Sequence, residues 1–223
     1  MRTLVLDIET SPNLAWCWGL FDQRIGLNQI ESTSSVLCFA AKWKLVDQAD
    51  AIVHYNGRAF DMKHLRREFL LEGLAPPTPH ADIDLLLVTR RQFKFASNKL
   101  QHVAGALGIG GKVPHTGFEL WRDCMAGDAK AWALMKKYNI GDITLTEDLY
   151  DILLPWIPSH PNAALIDGKP DACPRCSAEG PFQRRGYDTT RVARYIRFQC
   201  NTCLGYFQAR KSDKNVPVPS YKA

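Results

Sequence analysis

The chain has 223 residues, 46% of them hydrophobic, with 28 Lys and Arg against 23 Asp and Glu, a size that suits one sizeable catalytic domain and a small appendage. No run approaches the roughly 18 unbroken apolar residues of a membrane helix, and Met1 leads straight into the strand-like Thr3-Leu4-Val5-Leu6. A helical membrane protein is therefore excluded, and a cytoplasmic protein without a cleaved leader is expected.

The charge is unevenly spread. Residues 1–166 hold 17 Lys and Arg against 18 Asp and Glu, whereas residues 167–223 hold 11 against 5. A carboxylate-bearing body with a basic appendage suits metal chemistry in the first and a polyanionic partner for the second, although solubility alone explains the same excess. Seven cysteines are present, an odd number, and four of them fall in two close pairs. Cys17, Cys38 and Cys124 stand alone in apolar surroundings and read as small core residues.

In chain order, Thr3 to Ile8 is a β-branched and Leu-rich run and predicts a buried central strand with Asp7 and Glu9 at its end. Ser35 to Trp43 and Ala49 to Tyr55 predict two more strands, the second closed by the turn signal Asn56-Gly57. From Met62 to Glu72, Leu65, Phe69 and Leu70 recur at helical spacing until Pro76, Pro77 and Pro79 stop the element. Ile83 to Val88 reads as a short strand or the start of a helix, and Asn98 to Leu107 as a helix ended by Gly108. Asp128 to Tyr138 and Ile140 to Leu154 are helical by pattern, with Pro155 and Pro158 closing the last segment. Strand, turn and helix in this order predict an α/β sheet, and the change of composition beyond Pro161 puts a domain boundary near residues 160–170.

Three acidic groups stand out. Asp7 and Glu9 are two apart on a strand, so both side chains leave one face, as carboxylates that converge on hard divalent cations must. Asp61 precedes a helix and reads either as a third ligand or as a helix N-cap. Tyr138 and Asp142 lie one turn apart on one helix face.

Leu6-Asp7-Ile8-Glu9-Thr10, Asn56 through Asp61, and Tyr138-Asn139-Ile140-Gly141-Asp142 resemble, in order and interval, the three exonuclease motifs of the DnaQ-like (DEDD) family. Tyrosine in the third motif places the resemblance in the tyrosine subgroup. Ser97-Asn98-Lys99-Leu100 and Gly117-Phe118-Glu119-Leu120-Trp121 are similar to runs in bacterial and phage ribonuclease H-like 3′-5′ exonucleases, implying a bacterial or phage-infected cell.

The resemblance covers residues 1 to about 157 and implies a ribonuclease H-like mixed sheet flanked by helices, acting on the 3′ end of a DNA or RNA strand. It implies that Asp7, Glu9, Asp61 and Asp142 hold two Mg²⁺ or Mn²⁺ ions, that Tyr138 orients the attacking water, and that Asn56 and Phe60 contact substrate. Phe60 reads equally as a core side chain. Arg90, Arg91, Lys94 and Lys99, interleaved with Phe93 and Phe95, read as a strand-binding wall or a solvated face. One departure is visible: only a few residues separate the strand ending at Trp43 from the one that includes Asp50-Ala51-Ile52-Val53, where relatives carry another strand and a helix.

Cys173-Pro174-Arg175-Cys176 and Cys200-Asn201-Thr202-Cys203 form two C-x2-C knuckles, the pattern of one tetrahedral structural Zn²⁺ site. The chain is thus divided into an exonuclease domain at 1–160 and a zinc ribbon with a basic tail at 161–223. Arg184, Arg185, Arg191, Arg194 and Arg197 lie between the knuckles with Tyr187, Tyr195 and Phe198, which suits a nucleic-acid surface or a protein partner. Three functions compete: an exonuclease, a catalytically impaired nucleic-acid-binding adaptor that works through the ribbon, and a hydrolase of short or cyclic nucleotides on the same scaffold. The complete acid set favours the first.

Overall fold

In the computed structural model, which describes residues 1–17, 19, 24–43 and 49–213, the N-terminal apolar run forms strand β1, Thr3–Thr10. A short ribbon follows, in which β2 (Leu14–Ala15) pairs antiparallel with β3 (Ile30–Ser32). The main sheet then gains β4 (Val36–Trp43), antiparallel to β1, and β5 (Ala51–His54), parallel to β1 on its other side. All four residues of β5 are buried, three of them apolar and the fourth His54, as a strand between two parallel neighbours requires. Helix α1 (Asp61–Leu71) leads to β6 (Ala81–Asp84), parallel to β5, and completes a mixed four-stranded sheet in the order β4-β1-β5-β6. Residues 44–48, within the shortened connection noted above, lie outside the described residues.

Three helices follow: α2 (Leu85–Gln92), α3 (Leu100–Leu107) and α4 (Phe118–Met125). Sequence patterning left Ile83–Val88 open between strand and helix because the chain changes from one to the other at Asp84, whose carboxylate caps α2 by accepting from the Leu86 N–H. The 25-residue helix α5 (Ala129–Leu153) replaces the two helical segments read from the pattern. Asp128 caps its start, its Oδ1 accepting from the N–H groups of Lys130 and Ala131 at 2.7 and 2.8 Å. The helix runs through Gly141 without a break, and a Cβ there would lie 3.0 Å from Val113 Cγ2. The helical disadvantage of glycine, about 1 kcal/mol, is outweighed by the packing that lets the 108–117 connection lie against this turn.

Helices cover both sheet faces. On one, Leu6 and Ile52 bury against Met62 of α1, with Leu4, Ala49 and Leu65 around them. On the other, Leu120 and Cys124 of α4 join Met135 and Tyr138 of α5 over Leu37 and Cys38. Cys38 and Cys124 thus serve as packing thiols, whereas Cys17 is exposed and is not the core residue that its apolar surroundings suggest. Among the described residues no helix is long and apolar enough to cross a membrane.

The chain divides into two compact units, Arg2–Tyr150 and Asp151–Ala223 with Met1, so the division falls within α5, ahead of the change in composition. In the second unit a one-turn helix α6 (Ala163–Ile166) is capped by Asn162. Three antiparallel strands follow in the order β7 (Gln183–Thr189), β8 (Arg194–Gln199) and β9 (Tyr206–Gln208). Phe182, Phe198 and Phe207 pack one face of this small sheet, with ring centroids 5.0 and 5.8 Å apart.

Candidate active site

The two-residue period of β1 places Asp7 and Glu9 on the sheet face that α5 covers, at a point where the β1–β4 register shifts after Glu9. Asp142 meets them from α5, and one carboxylate oxygen from each of Asp7, Glu9 and Asp142 lies within 4.8 Å of the others. Asn139, three residues before Asp142 and 2% exposed, donates from Nδ2 to Asp7 Oδ2 at 2.8 Å and fixes that carboxylate. Asp142 Oδ1 is buried without a hydrogen-bond partner among the described residues. Converging hard oxygens and an orphaned buried carboxylate oxygen fit a divalent cation.

Asp61 is the first residue of α1 and is buried, but it does not cap the helix. The N-cap position belongs to Phe60, and Asp61 Oδ1 instead accepts from the Ile8 N–H at 3.0 Å. The N-cap reading is thereby corrected: a β1 N–H beside the helix start gives the carboxylate a buried donor. Asp61 stands outside the three-acid group but close enough for its charge to raise the pKa of Asp7.

Lys112, from the glycine-rich connection between α3 and α4, is a member of the site that sequence reasoning missed. Its ammonium contacts Asp142 Oδ2 and donates to Tyr138 Oη at 2.9 Å. Burial works against its charge, but the bonds to Asp142 and Tyr138 and the charge of Asp142 outweigh it and hold the lysine well above its ordinary pKa. The only signal in the sequence was a lone cation after Gly110-Gly111. Tyr138 is enclosed edge-on by His115 and Trp121, at centroid distances of 4.8 and 6.0 Å, and burial with the nearby Asp142 charge pushes its phenol up to about 12.

Burial, followed by the charges of Asp61, Glu9 and Asp142, pushes Asp7 up to about 8, against the pull of Lys112. Glu9 is pushed up to about 7, again chiefly by burial, with Lys112 and a hydrogen bond from Trp121 opposing. Both folded-state values lie above the unfolded ones, so these two groups hold more protons in the metal-free folded state than in the unfolded chain between about pH 4 and pH 8, and their contribution to stability is lost as pH rises through that window. The melting temperature of the metal-free first unit, Arg2–Tyr150, is expected to fall from pH 5 to pH 8, with added Mn²⁺ restoring more of it at the upper end. Differential scanning calorimetry checks this, and a profile flat in pH would contradict it.

The turn from His54 to Asp61 is bolted from below. Asp84, 5% exposed, accepts from the N–H groups of Asn56 at 3.0 Å, Arg58 at 3.3 Å and Leu86 at 3.0 Å. The fully buried His54 accepts from the Gly57 N–H at 3.1 Å, and a Cβ on Gly57 would sit 2.4 Å from its ring, so only glycine fits. Asn56 is held at φ 70°, a left-handed conformation that costs a non-glycine residue about 1 kcal/mol or more and is sustained by these bonds. Asp84→Asn, in which an amide replaces one acceptor oxygen, is expected to lower stability by about 2 kcal/mol and to raise KM more than it lowers kcat. Urea denaturation and steady-state kinetics test the two parts separately.

Asn56 lines a cleft of about 590 Å³ together with Asp7, Tyr55, Arg90, Lys99, Lys112 and Asp142. Of the basic residues singled out in the sequence, Arg90 and Lys99 line this cleft and Arg91 and Lys94 do not, while the rings of Phe93 and Phe95 pack on each other at 5.9 Å. Phe60 is neither in the core nor among the cleft-lining residues: it is 40% exposed, and its ring lies 4.6 Å from that of His64.

In the second unit the Sγ atoms of Cys173, Cys176, Cys200 and Cys203 lie within 4.8 Å of one another. Cys173–Cys203 and Cys176–Cys200 are each 3.7 Å apart, too far for disulfides. A tetrahedron with Zn–S bonds of about 2.3 Å has edges of about 3.8 Å, so the set is consistent with a small zinc site. The hydrogen bond with Cys203 is the largest influence on Cys173 and holds its thiol well below the ordinary cysteine range.

A sequence model of the RNase H superfamily matches residues 4–154. Among solved structures, the chain is similar to the family B DNA polymerase from the hyperthermophilic archaeon Pyrobaculum calidifontis, with 20% identity and a TM-score of 0.48. The match covers 69% of this chain and 24% of that one, so it spans about a quarter of the polymerase. No curated protein matches the chain.

Proposed function

This chain belongs to the RNase H superfamily, which its residues 4–154 match, and from that membership we propose that it is a metal-dependent nuclease that shortens a DNA or RNA strand from its 3′ end. The observation that carries the reading is the convergence of Asp7, Glu9 and Asp142 in a cleft, with one buried oxygen of Asp142 unpartnered. The 3′-5′ polarity rests on the resemblance of the three motifs to those of the tyrosine subgroup.

Asp7, Glu9, Asp61 and Asp142 would hold two Mg²⁺ or Mn²⁺ ions, which when bound supply Lewis acidity for phosphodiester hydrolysis and lower the pKa of water. Asn139 keeps Asp7 in one orientation. Tyr138, with its phenol held protonated, positions water or phosphate by hydrogen bonding and does not take the proton itself. Asn56, Arg90 and Lys99 line the path of the strand away from the acids. Lys112 presents a fixed positive charge to the phosphate while competing with a cation for Asp142. Lys112→Ala is expected to reduce turnover by about a hundredfold while tightening Mn²⁺ binding, as read by calorimetric titration. In the second unit, Cys173, Cys176, Cys200 and Cys203 would hold one structural Zn²⁺.

The test is a time course with 5′-labelled and 3′-labelled single strands of DNA and RNA, comparing wild type with Asp142→Ala, with and without Mg²⁺ or Mn²⁺. A one-nucleotide ladder from the 5′-labelled strand, absent without metal and in the variant, is expected. No cleavage combined with a retained gel shift would replace the nuclease with a nucleic-acid-binding adaptor.

A further inference from the structure

We propose that the β7 edge of the ribbon sheet, centred on Arg184 and Arg185, is a second nucleic-acid site that grips the strand independently of the acidic cleft. Every residue of β7 except Asp188 is exposed. The two central arginines of the strand are each held by neutral groups, so they are oriented without having their charge cancelled. Arg185 donates from Nε to Gln199 Oε1 at 3.0 Å and from Nη2 to Gln183 Oε1. Arg184 donates to the hydroxyl of Tyr187, and its guanidinium carbon lies 5.1 Å from that ring centroid. Among the described residues neither has a carboxylate partner, in contrast to Arg194 on Asp213 and Arg197 on Asp188. Two pre-oriented, uncompensated guanidinium groups are suited to phosphates.

Aromatic rings accompany them. Tyr206 is 50% exposed, with the Arg197 guanidinium 6.0 Å from its ring, and Tyr187 is 37% exposed. Register places Gln183, Gln199 and Tyr206 in one row across the three strands, two amides that hold Arg185 and then a ring on which an unpaired base can stack, whereas Arg184 pairs with Phe198 and flanks the same edge from the other face. Charge complementarity selects the occupant: residues 167–223 carry 11 Lys and Arg against 5 Asp and Glu, and the substrate assigned above is a polyanion. The identity of the ligand rests on that nuclease reading, whereas the test does not need turnover.

The measurement is fluorescence anisotropy of a labelled single-stranded 20-mer with the full chain carrying Asp142→Ala, with and without Arg184→Gln and Arg185→Gln together. Binding is expected to weaken at least tenfold at 0.15 M salt, and the slope of log K against log salt to fall by about 1.4, the contribution of two phosphates on a single strand. Zinc content should stay at one per chain. Tyr206→Ser, which removes no charge, is expected to weaken binding about tenfold with the salt slope unchanged, and it carries the test should the double variant lose zinc. Unchanged affinity and slope in these variants would overturn the proposal, as would equally tight binding of poly-glutamate. In the Asp142-intact protein, hydrolysis of the p-nitrophenyl ester of thymidine 5′-monophosphate should be the same with and without the arginine substitutions. A wild type that cleaves nothing would sink the nuclease reading while leaving the binding result standing.

Discussion

Asp7→Ala is expected to lower turnover by about three orders of magnitude or more while leaving the metal-free protein as stable as wild type at pH 8, or more so. The two halves have one cause. Asp7 is half-buried in the cleft, with Asp61, Glu9 and Asp142 all raising its pKa, so its carboxylate is the group most in need of a cation and the most costly to ionise without one. Removing it takes away a ligand on which the proposed chemistry depends, and with it the repulsion that the folded state bears in the absence of metal. Asn139 loses its partner at the same time, which offsets part of the gain. Turnover of a labelled strand and the melting temperature without metal measure the halves separately. Undiminished metal-dependent activity in a folded variant would remove this site from consideration.

Cys173→Ser is expected to abolish zinc retention and unfold the ribbon while the first unit stays folded. The small sheet buries little beyond Phe182, Phe198 and Phe207, and a segment of this size cannot offset its chain entropy from so small a core. The free energy that orders it is that of metal binding, on the order of 10 kcal/mol or more for a four-cysteine site at neutral pH. Cys173 is fully buried, so serine there would also leave a poor zinc ligand without access to water. Elemental analysis should give one zinc per wild-type chain and none for the variant, and limited proteolysis should cut the variant within 167–213 with Arg2–Tyr150 intact. Zinc in the variant, or a ribbon resistant without it, would contradict the assignment.

What was legible in the sequence was whatever a short-range period governs. Asp7 and Glu9 share a face because strands alternate, Tyr138 and Asp142 because helices return every turn, and the four cysteines because two tight turns at that spacing converge. Contacts that span the chain were not legible. Asp61 reads as either a ligand or a cap, because the turn before it looks like a helix start; its hydrogen-bond partner, Ile8 N–H, is 53 residues away across the sheet. Asp84 belonged to a stretch that reads as either strand or helix, and its three backbone bonds come from a turn that no periodicity connects to it. Lys112 lies on a connection whose path the glycines leave open. Phe60 read as substrate contact or core and is neither cleft-lining nor buried, because hydrophobicity alone does not say which way a turn residue faces.

The absence of a side chain at Gly141 has a consequence for charge. The 108–117 connection can press against α5 there only because nothing stands between the helix backbone and Val113, and Lys112 is the residue before Val113. The reach of one ammonium to Asp142 is therefore set by the thickness of a helix at a single turn, and steric relief three residues from Tyr138 bears on how the charge of the acids is offset. A position with no side chain of its own acts as the spacer between the helix and the connection that carries the site's cation.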